Sequence, residues 1–90
     1  MAEENREYFT MIAWDGCPFC ARAYDLLRDK EKEVHVTYYE RGSQQLHEAK
    51  QKNNWQTVPM ITRHVFDGES TQSTFIGGYD SLVAMMIAEA

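Results

Sequence analysis

The chain has 90 residues, of which 14 are acidic and nine are basic, giving a formal net charge of −5. This length predicts that residues 1–90 form a single domain with one modest core. An acidic chain is a poor candidate for binding nucleic acid, and no apolar run approaches the roughly 20 residues that span a bilayer. The polar, acidic start of the sequence is unlike a signal peptide, so we expect a cytoplasmic protein without a membrane partner.

The first half of the chain predicts a β-α-β unit. Glu7–Ala13 is rich in aromatic and β-branched residues, which is typical of a buried strand. A helix should follow from Pro18 to about Lys30, because proline is favoured at the first helical position. Its apolar residues have the spacing of one buried helix face: Cys20, Ala23, Tyr24 and Leu27. Val34–Tyr39 is a second strand, which should run parallel to the first after a right-handed crossover.

The second half predicts one more helix, a hairpin and a final helix. Ser43 is the expected N-cap of a polar helix that continues to about Asn53. Pro59–Phe66 and Ser73–Ile76 predict two antiparallel strands joined by a tight Asp-Gly turn. The last helix, Tyr79–Glu89, should bury one face made of Leu82, Val83, Met86 and Ile87. The order β-α-β-α-β-β-α predicts an α/β fold with a mixed four-stranded sheet, three helices and helices on both faces.

The two cysteines, Cys17 and Cys20, form a C-x-x-C motif at the start of the first predicted helix. Cys17 falls at the N-cap, where unpaired N–H groups and the positive end of the helix dipole favour its thiolate form. Cys20 should lie one turn later on the buried face, within disulfide reach. This placement is typical of a redox pair in which the first thiolate attacks a disulfide and the second thiol releases the product.

Three other interpretations of the cysteine pair remain open at this point. The cysteines could be core residues, a structural disulfide or half of a zinc site. A disulfide that closes so short a loop stabilises a fold weakly. A zinc site needs two further ligands, and the histidines are too widely separated for the usual paired arrangement: His35, His47 and His64. Redox chemistry is therefore favoured, and we expect no metal.

Three motifs together resemble a dithiol glutaredoxin of the thioredoxin superfamily: Cys17-Pro18-Phe19-Cys20, Thr57-Val58-Pro59 and Gly77-Gly78-Tyr79-Asp80. The first motif is moderately specific and the other two are weak alone, but all three occur in the family's order. The resemblance covers nearly the whole chain, and its ending is similar to phage and bacterial members. It implies a thioredoxin-like fold and, for the location, the cytoplasm of a bacterium or of a virus-infected host cell.

The resemblance also implies how each motif would use glutathione. Cys17 would carry the mixed disulfide with glutathione, and Cys20 would resolve it. A cis bond between Val58 and Pro59 would expose backbone that pairs with glutathione like an added strand. The glycine pair would allow close backbone approach, and the helix start after it would hold the γ-glutamyl carboxylate. The implied glutathione-binding residues are Thr57, Val58, Pro59, Gly78, Tyr79, Asp80 and Ser81.

The implied activity is a glutathione-dependent thiol–disulfide oxidoreductase that reduces protein disulfides or glutathione mixed disulfides. Glutathione would be the co-substrate, recharged from NADPH by glutathione reductase, and ribonucleotide reductase is a protein substrate typical of the family. We expect a monomer. One alternative keeps the chemistry but takes electrons from thioredoxin reductase. A second is a module that holds an iron–sulfur cluster through Cys17 and glutathione, although Pro18 stands where cluster-holding relatives usually have a smaller residue.

Several positions depart from the family's pattern. Trp14 stands where many glutaredoxins have Lys or Arg, and Asp15 adds a negative charge that opposes thiolate formation at the next helix start. Phe19 replaces a common tyrosine, and Ser81 replaces a common acidic residue whose contact Asp80 would have to take over. The affinity for glutathione is therefore in question. The candidate replacements for the missing cation are Arg22, Arg41, Lys50 and Lys52.

The stretch between the second and third motifs is longer than the compact hairpin of the family. Its polar sequence, FDGESTQST from Phe66 to Thr74, favours turns. We expect a solvated extension of the hairpin, with a contact surface for a particular partner as the alternative.

Overall fold

A computed structural model describes residues 5–90, which form four strands and three helices. In chain order these are β1 (Arg6–Ala13), α1 (Pro18–Asp29), β2 (Glu33–Tyr38), α2 (Gln44–Asn53), β3 (Met60–Phe66), β4 (Thr71–Gly77) and α3 (Tyr79–Ala88). The strands form one sheet in the order β2-β1-β3-β4. β1 is parallel to β2 and antiparallel to β3, and β3 and β4 form an antiparallel hairpin. The predicted order of elements and the mixed sheet are confirmed.

One face of the sheet packs against α1 and α3. Side chains alternate along a strand, so Phe9 and Met11 of β1 point to the same face. Both are buried there beside Ile61 of β3. The helices complete this cluster with Ala23, Leu27 and Leu82. α1 and α3 are therefore held side by side over the sheet. This packing fixes the positions of the N-terminal ends of both helices.

A second buried cluster joins the first turn of α1 to α2 and to the start of β3. Leu46 and Ala49 of α2 are buried against Met60, and Cys20 of α1 belongs to the same cluster. α2 begins at Ser43, whose side-chain oxygen accepts a hydrogen bond from the backbone N–H of Leu46 at 3.2 Å, as expected for an N-cap. The cluster lies directly beneath the cysteine pair and holds its surroundings in place.

The hairpin of β3 and β4 is longer than predicted. β4 pairs with β3 out to Phe66 and Thr71, whereas the prediction for this strand covered only 73–76. Asp67 stabilises the turn, because its carboxylate accepts hydrogen bonds from the N–H groups of Glu69 and Ser70, each at 3.0 Å. The polar residues therefore continue the ladder and stay exposed, as a solvated extension requires. The other element ends differ from the prediction by at most one residue.

One predicted core residue needs correction. Ile87 is 70% exposed, so its assignment to the buried face of α3 was wrong. Leu82 and Met86 are one turn apart and face the core, whereas Ile87 lies about 100° further around the helix. Tyr24 is partly buried and packs against this core cluster, as predicted. None of the helices in the described part of the chain has the length and apolar character needed to cross a membrane.

Candidate active site

Cys17 is the N-cap of α1, as predicted. Its backbone is extended, with φ −82° and ψ 114°, and Pro18 occupies the first helical position. This conformation turns the side chain back over the helix start, where its sulfur accepts a hydrogen bond from the backbone N–H of Cys20 at 3.2 Å. A free helix N–H pointing at sulfur stabilises negative charge on it. Cys17 is a free, partly exposed thiol.

Cys20 lies one turn into α1 and is also a free thiol, but only 5% exposed. Burial raises the pKa of the Cys20 thiol to about 12, and the hydrogen bond and charge of Cys17 add to this shift. The structure therefore makes the two thiols unequal, with one at the surface and one held protonated beneath it. Within residues 5–90, no three His, Cys, Asp or Glu side chains lie close enough together to hold a metal ion.

The loop before β3 brings backbone next to Cys17. The peptide bond between Val58 and Pro59 is cis, and both residues are buried while Thr57 is exposed. Proline has no N–H, so backbone pairing with a ligand at this edge would use the groups of Val58. The resemblance implied this cis bond, and the structure contains it.

The start of α3 faces the same space. Gly78 is the N-cap and provides no side-chain hydrogen bond, so the first N–H groups of the helix have no capping partner from it. Gly77 has a φ of +122°, a conformation that side chains rarely adopt. A Cβ on Gly77 would also lie 2.8 Å from Ser81 Oγ and 3.1 Å from Trp55 Cη2. Glycine at 77 therefore allows both the turn into α3 and the close packing behind it.

These parts meet in one open groove with a volume of about 620 Å³, which we call the cis-proline groove. It contains Cys17 and all seven predicted glutathione-binding residues. Its lining is Trp14, Gly16, Cys17, Pro18, Phe19, Arg41, Trp55, Thr57, Val58, Pro59, Gly78, Tyr79, Asp80 and Ser81. Cys20 is the one predicted site residue that does not line it. The structure thus assembles three motifs that are up to sixty residues apart in the chain.

Among the four candidate cations, Arg41 is the one that lines the cis-proline groove. Its guanidinium carbon lies 4.7 Å from the centre of the Trp14 ring, and Lys50 Nζ lies 5.6 Å from the same ring. Trp14 thus occupies the family's usual cation position and holds a cation from another loop over its face. The sequence could not select Arg41, because it lies between β2 and α2 with no motif around it.

The other two candidates lie elsewhere. Arg22 lies over the Phe19 ring at 5.2 Å and does not line the cis-proline groove. Lys52 lines a separate groove between α2 and the sheet. Trp55 lines the cis-proline groove and also packs edge-on against Phe75, with 5.6 Å between the ring centres.

A second groove, which we call the acidic groove, also includes Cys17 and has a volume of about 450 Å³. It is lined by Trp14, Asp15, Gly16, Cys17, Pro18, Cys20, Ala21, Tyr24, Asp25 and Tyr38. It borders both cysteines and contains two carboxylates, and no Lys or Arg is among these lining residues. The sequence analysis missed this groove, because Asp25 and Tyr38 belong to different elements and to no motif.

The fold and the two unequal thiols define a thiol–disulfide oxidoreductase with a thioredoxin-like fold. The family model for glutaredoxin matches residues 7–69, which include the first two motifs. The chain belongs to the glutaredoxin family. Among curated protein sequences, none matches this chain.

Two solved structures are similar over most of their length. The dithiolic glutaredoxin of Trypanosoma brucei brucei is 31% identical, with a TM-score of 0.68 over 92% of this chain and 80% of that chain. A glutaredoxin from Brucella melitensis is 26% identical, with a TM-score of 0.60 over 90% of this chain and 79% of that chain. Both support the thioredoxin-like fold. Membership of a phage or bacterial type stays a prediction.

Proposed function

We propose that this protein uses glutathione to reduce protein disulfides or glutathione mixed disulfides through Cys17 and Cys20. The observation that carries the proposal is the cis-proline groove. It combines a thiol at a helix start, the Thr57–Val58 segment beside a cis-proline, an uncapped helix N-terminus and a cation. Each of these matches one part of an anionic tripeptide thiol.

Glutathione fits the groove with its sulfur at Cys17. Its cysteinyl backbone would pair with Val58, as an added strand pairs with a sheet edge. Its γ-glutamyl carboxylate would accept hydrogen bonds from the N–H groups at the start of α3, where the helix dipole also favours an anion. Asp80 lies in the first turn of α3 and would face the glutathione ammonium group, in place of the acid absent at Ser81.

Arg41 completes the proposed site. Its guanidinium would bind the glycyl carboxylate of glutathione. It would thereby take the role of the Lys or Arg that many glutaredoxins have at the position of Trp14. Trp14 then acts as the platform that keeps Arg41 over the groove, through the contact described above. The departure at Trp14 thus moves the cation to a different loop and leaves the groove with a positive charge.

The reaction begins with attack of the Cys17 thiolate on a substrate disulfide. A bond forms between Cys17 and one substrate sulfur, and the other substrate sulfur leaves with the electron pair and takes a proton. Cys20 then loses its proton and attacks Cys17, which releases the second substrate thiol. The protein is left with a Cys17–Cys20 disulfide, and the substrate has gained two electrons and two protons. Two glutathione molecules reverse the oxidation and leave as glutathione disulfide.

The environment of Cys20 explains the order of these steps. Before the first attack, burial keeps Cys20 protonated, and the neighbouring charge and hydrogen bond of Cys17 raise its pKa further. Once Cys17 is in a mixed disulfide, its sulfur carries no charge, so that part of the pKa shift disappears. Cys20 therefore becomes a better nucleophile only when there is a disulfide for it to resolve.

The electron donor is tested by reducing the oxidised protein with glutathione or with thioredoxin reductase under matched conditions. We expect glutathione to serve as donor, with hydroxyethyl disulfide reduced in the NADPH-coupled assay. Reduction by thioredoxin reductase alone would contradict the proposal. A coloured protein on purification would instead support the iron–sulfur alternative. Ribonucleotide reductase as a substrate, a monomeric state and a cytoplasmic location stay proposals that this assay does not address.

The groove itself is tested with Arg41→Gln, using Arg22→Gln as the matched control. Both arginines lie over an aromatic ring near the site, but Arg22 does not line the cis-proline groove. Arg41→Gln should raise KM for glutathione about two- to fivefold, the range expected for one exposed ion pair. Equal KM values in the two variants would remove Arg41 from the glutathione site.

A further inference from the structure

We propose that the acidic groove binds the polypeptide part of a disulfide substrate and selects a basic residue beside the attacked cysteine. The inference rests on the proposed reduction of disulfides at Cys17. It adds a substrate class that the cis-proline groove does not define, because that groove fits an anion. The occupant is a protein or peptide segment with Lys or Arg one or two positions from its cysteine.

The position of the groove carries the first part of the argument. Both Cys17 and Cys20 line the acidic groove, and Cys17 also lines the cis-proline groove. A peptide sulfur bonded to Cys17 therefore has neighbouring residues within reach of this groove, because one residue of extended chain spans about 3.3–3.6 Å.

The charge of the groove carries the second part. Asp15 and Asp25 are exposed, and neither forms an ion pair with any residue in the described range 5–90. By contrast, Glu7 is paired with Lys32 and Arg63 in the same structure. Arg41 lines a small neighbouring pocket together with Asp15 and Tyr38, but it forms no ion pair with Asp15. Both carboxylates can therefore pair with a cation from outside. The net charge of −5 also favours the approach of a basic partner.

The aromatic lining carries the third part. Tyr38 is 65% exposed at the edge of the groove. Two other rings that line this groove already carry arginines, Arg28 over Tyr24 and Arg41 over Trp14. No Lys or Arg among residues 5–90 lies in this way over Tyr38. A substrate Lys or Arg could pack its stem on this ring while its charge meets the carboxylates.

The experiment uses two synthetic peptides with one internal disulfide that differ only beside one cysteine, which is followed by Lys or by Glu. The fully reduced protein is mixed with each peptide at low ionic strength, without glutathione. Acid-quenched samples then give the second-order rate constant of peptide reduction. We expect the Lys peptide to react about two- to fivefold faster. The ratio should fall toward one in 1 M salt, where exposed charges are screened.

Two variants locate the effect. Asp25→Asn removes one carboxylate from the acidic groove, and Asp29→Asn removes the same charge one turn further along α1, outside it. Asp25→Asn should lower the ratio between the two peptides, whereas Asp29→Asn should keep the wild-type ratio. Equal effects of the two variants would mean that only the overall charge matters and would overturn the inference.

The outcomes also separate this inference from the proposed function. If the wild-type protein reduces both peptides at the same rate, or the Glu peptide faster, the docking inference fails and the proposed function stands. If it reduces neither peptide, nor hydroxyethyl disulfide with glutathione, the proposed function fails as well.

Discussion

The cis-proline groove and the acidic groove meet at Cys17 and share Trp14, Gly16 and Pro18 as a common wall. They differ in their charged side chains and in the backbone groups that they offer to a ligand. The first contains Arg41, Asp80 and an uncapped helix start. The second contains the buried thiol and two carboxylates, Asp15 and Asp25, which form no ion pair within residues 5–90. A single nucleophile can therefore serve an anionic cofactor on one side and a cationic polypeptide on the other. The comparison separates the electron donor from the substrate by charge.

The largest expected effect is the loss of both functions in Cys17→Ser. Cys17 is the one reactive thiol common to the two grooves. Without it, the rates of hydroxyethyl disulfide reduction and of peptide reduction should both fall to the rates measured without protein. A coupled NADPH assay measures the first, and the acid-quench assay measures the second. Wild-type activity of Cys17→Ser in either assay would show that the shared wall is not where the chemistry occurs.

Changes at the two neighbouring glycines should affect the cis-proline groove unequally. Gly77→Ala should cost about 1–3 kcal/mol of unfolding free energy, because Gly77 has a positive φ and its added Cβ would meet Ser81 and Trp55. At Gly78 the nearest heavy atom to an added Cβ is 3.7 Å away, so Gly78→Ala should cost less than about 1 kcal/mol. Denaturant unfolding of both variants measures the difference. Equal costs would refute the close packing behind the groove.

The difference between the two thiols should appear as a difference in alkylation with pH. Since burial raises the pKa of Cys20 to about 12, the thiol form is favoured in the folded protein over the unfolded chain, where cysteine titrates near 8.5. Cys20 thus contributes stability that is present below about pH 8.5 and is lost as the pH rises toward 12.

In Cys17→Ser, the remaining thiol should therefore resist iodoacetamide at pH 8 until denaturant is added. This variant also lacks the Cys17 sulfur, so the test measures burial alone. Mass spectrometry gives the labelled fraction, and rapid labelling of the folded variant at pH 8 would contradict the buried position.

The smallest expected effect concerns Asp15, which belongs to the acidic groove and precedes the helix start. Its negative charge offsets the stabilisation that the positive N-terminal end of α1 gives to a Cys17 thiolate. The interaction of one exposed charge with a helix end is worth about 0.3–1 kcal/mol. Asp15→Asn should speed alkylation of Cys17 at pH 7 by about two- to fivefold. Asp29→Asn, at the other end of α1, is the matched control. A slower reaction in Asp15→Asn would show that Asp15 supports the thiolate.

Features set by neighbouring residues could be predicted from the sequence. Pro18 after Cys17 placed the N-cap, and the spacing within α1 placed Cys20 on the buried face. The resemblance implied the cis bond before Pro59. Features set by distant contacts could not be predicted in the same way. Ile87 is apolar and correctly spaced, yet it is 70% exposed because no helix or strand among residues 5–90 covers it.

The same reason explains what was missing from the predicted site. The choice of Arg41 depends on the Trp14 ring beneath it, and the acidic groove depends on Tyr38 of β2 and Asp25 of α1 lining the same space. Neither contact leaves a pattern in the sequence, because each joins residues from separate elements. The length of β4 was underestimated since its polar residues are held by pairing with β3 and not by burial.

The division between the grooves is tested most directly by backbone amide NMR of Cys20→Ser, before and after Cys17 is joined to glutathione in a mixed disulfide. The account predicts that the largest shift changes outside the Cys17 turn fall at Thr57, Val58, Asp80 and Ser81, with small changes at Asp25 and Tyr38. Changes concentrated at Asp25 and Tyr38 would place glutathione in the acidic groove and contradict the account.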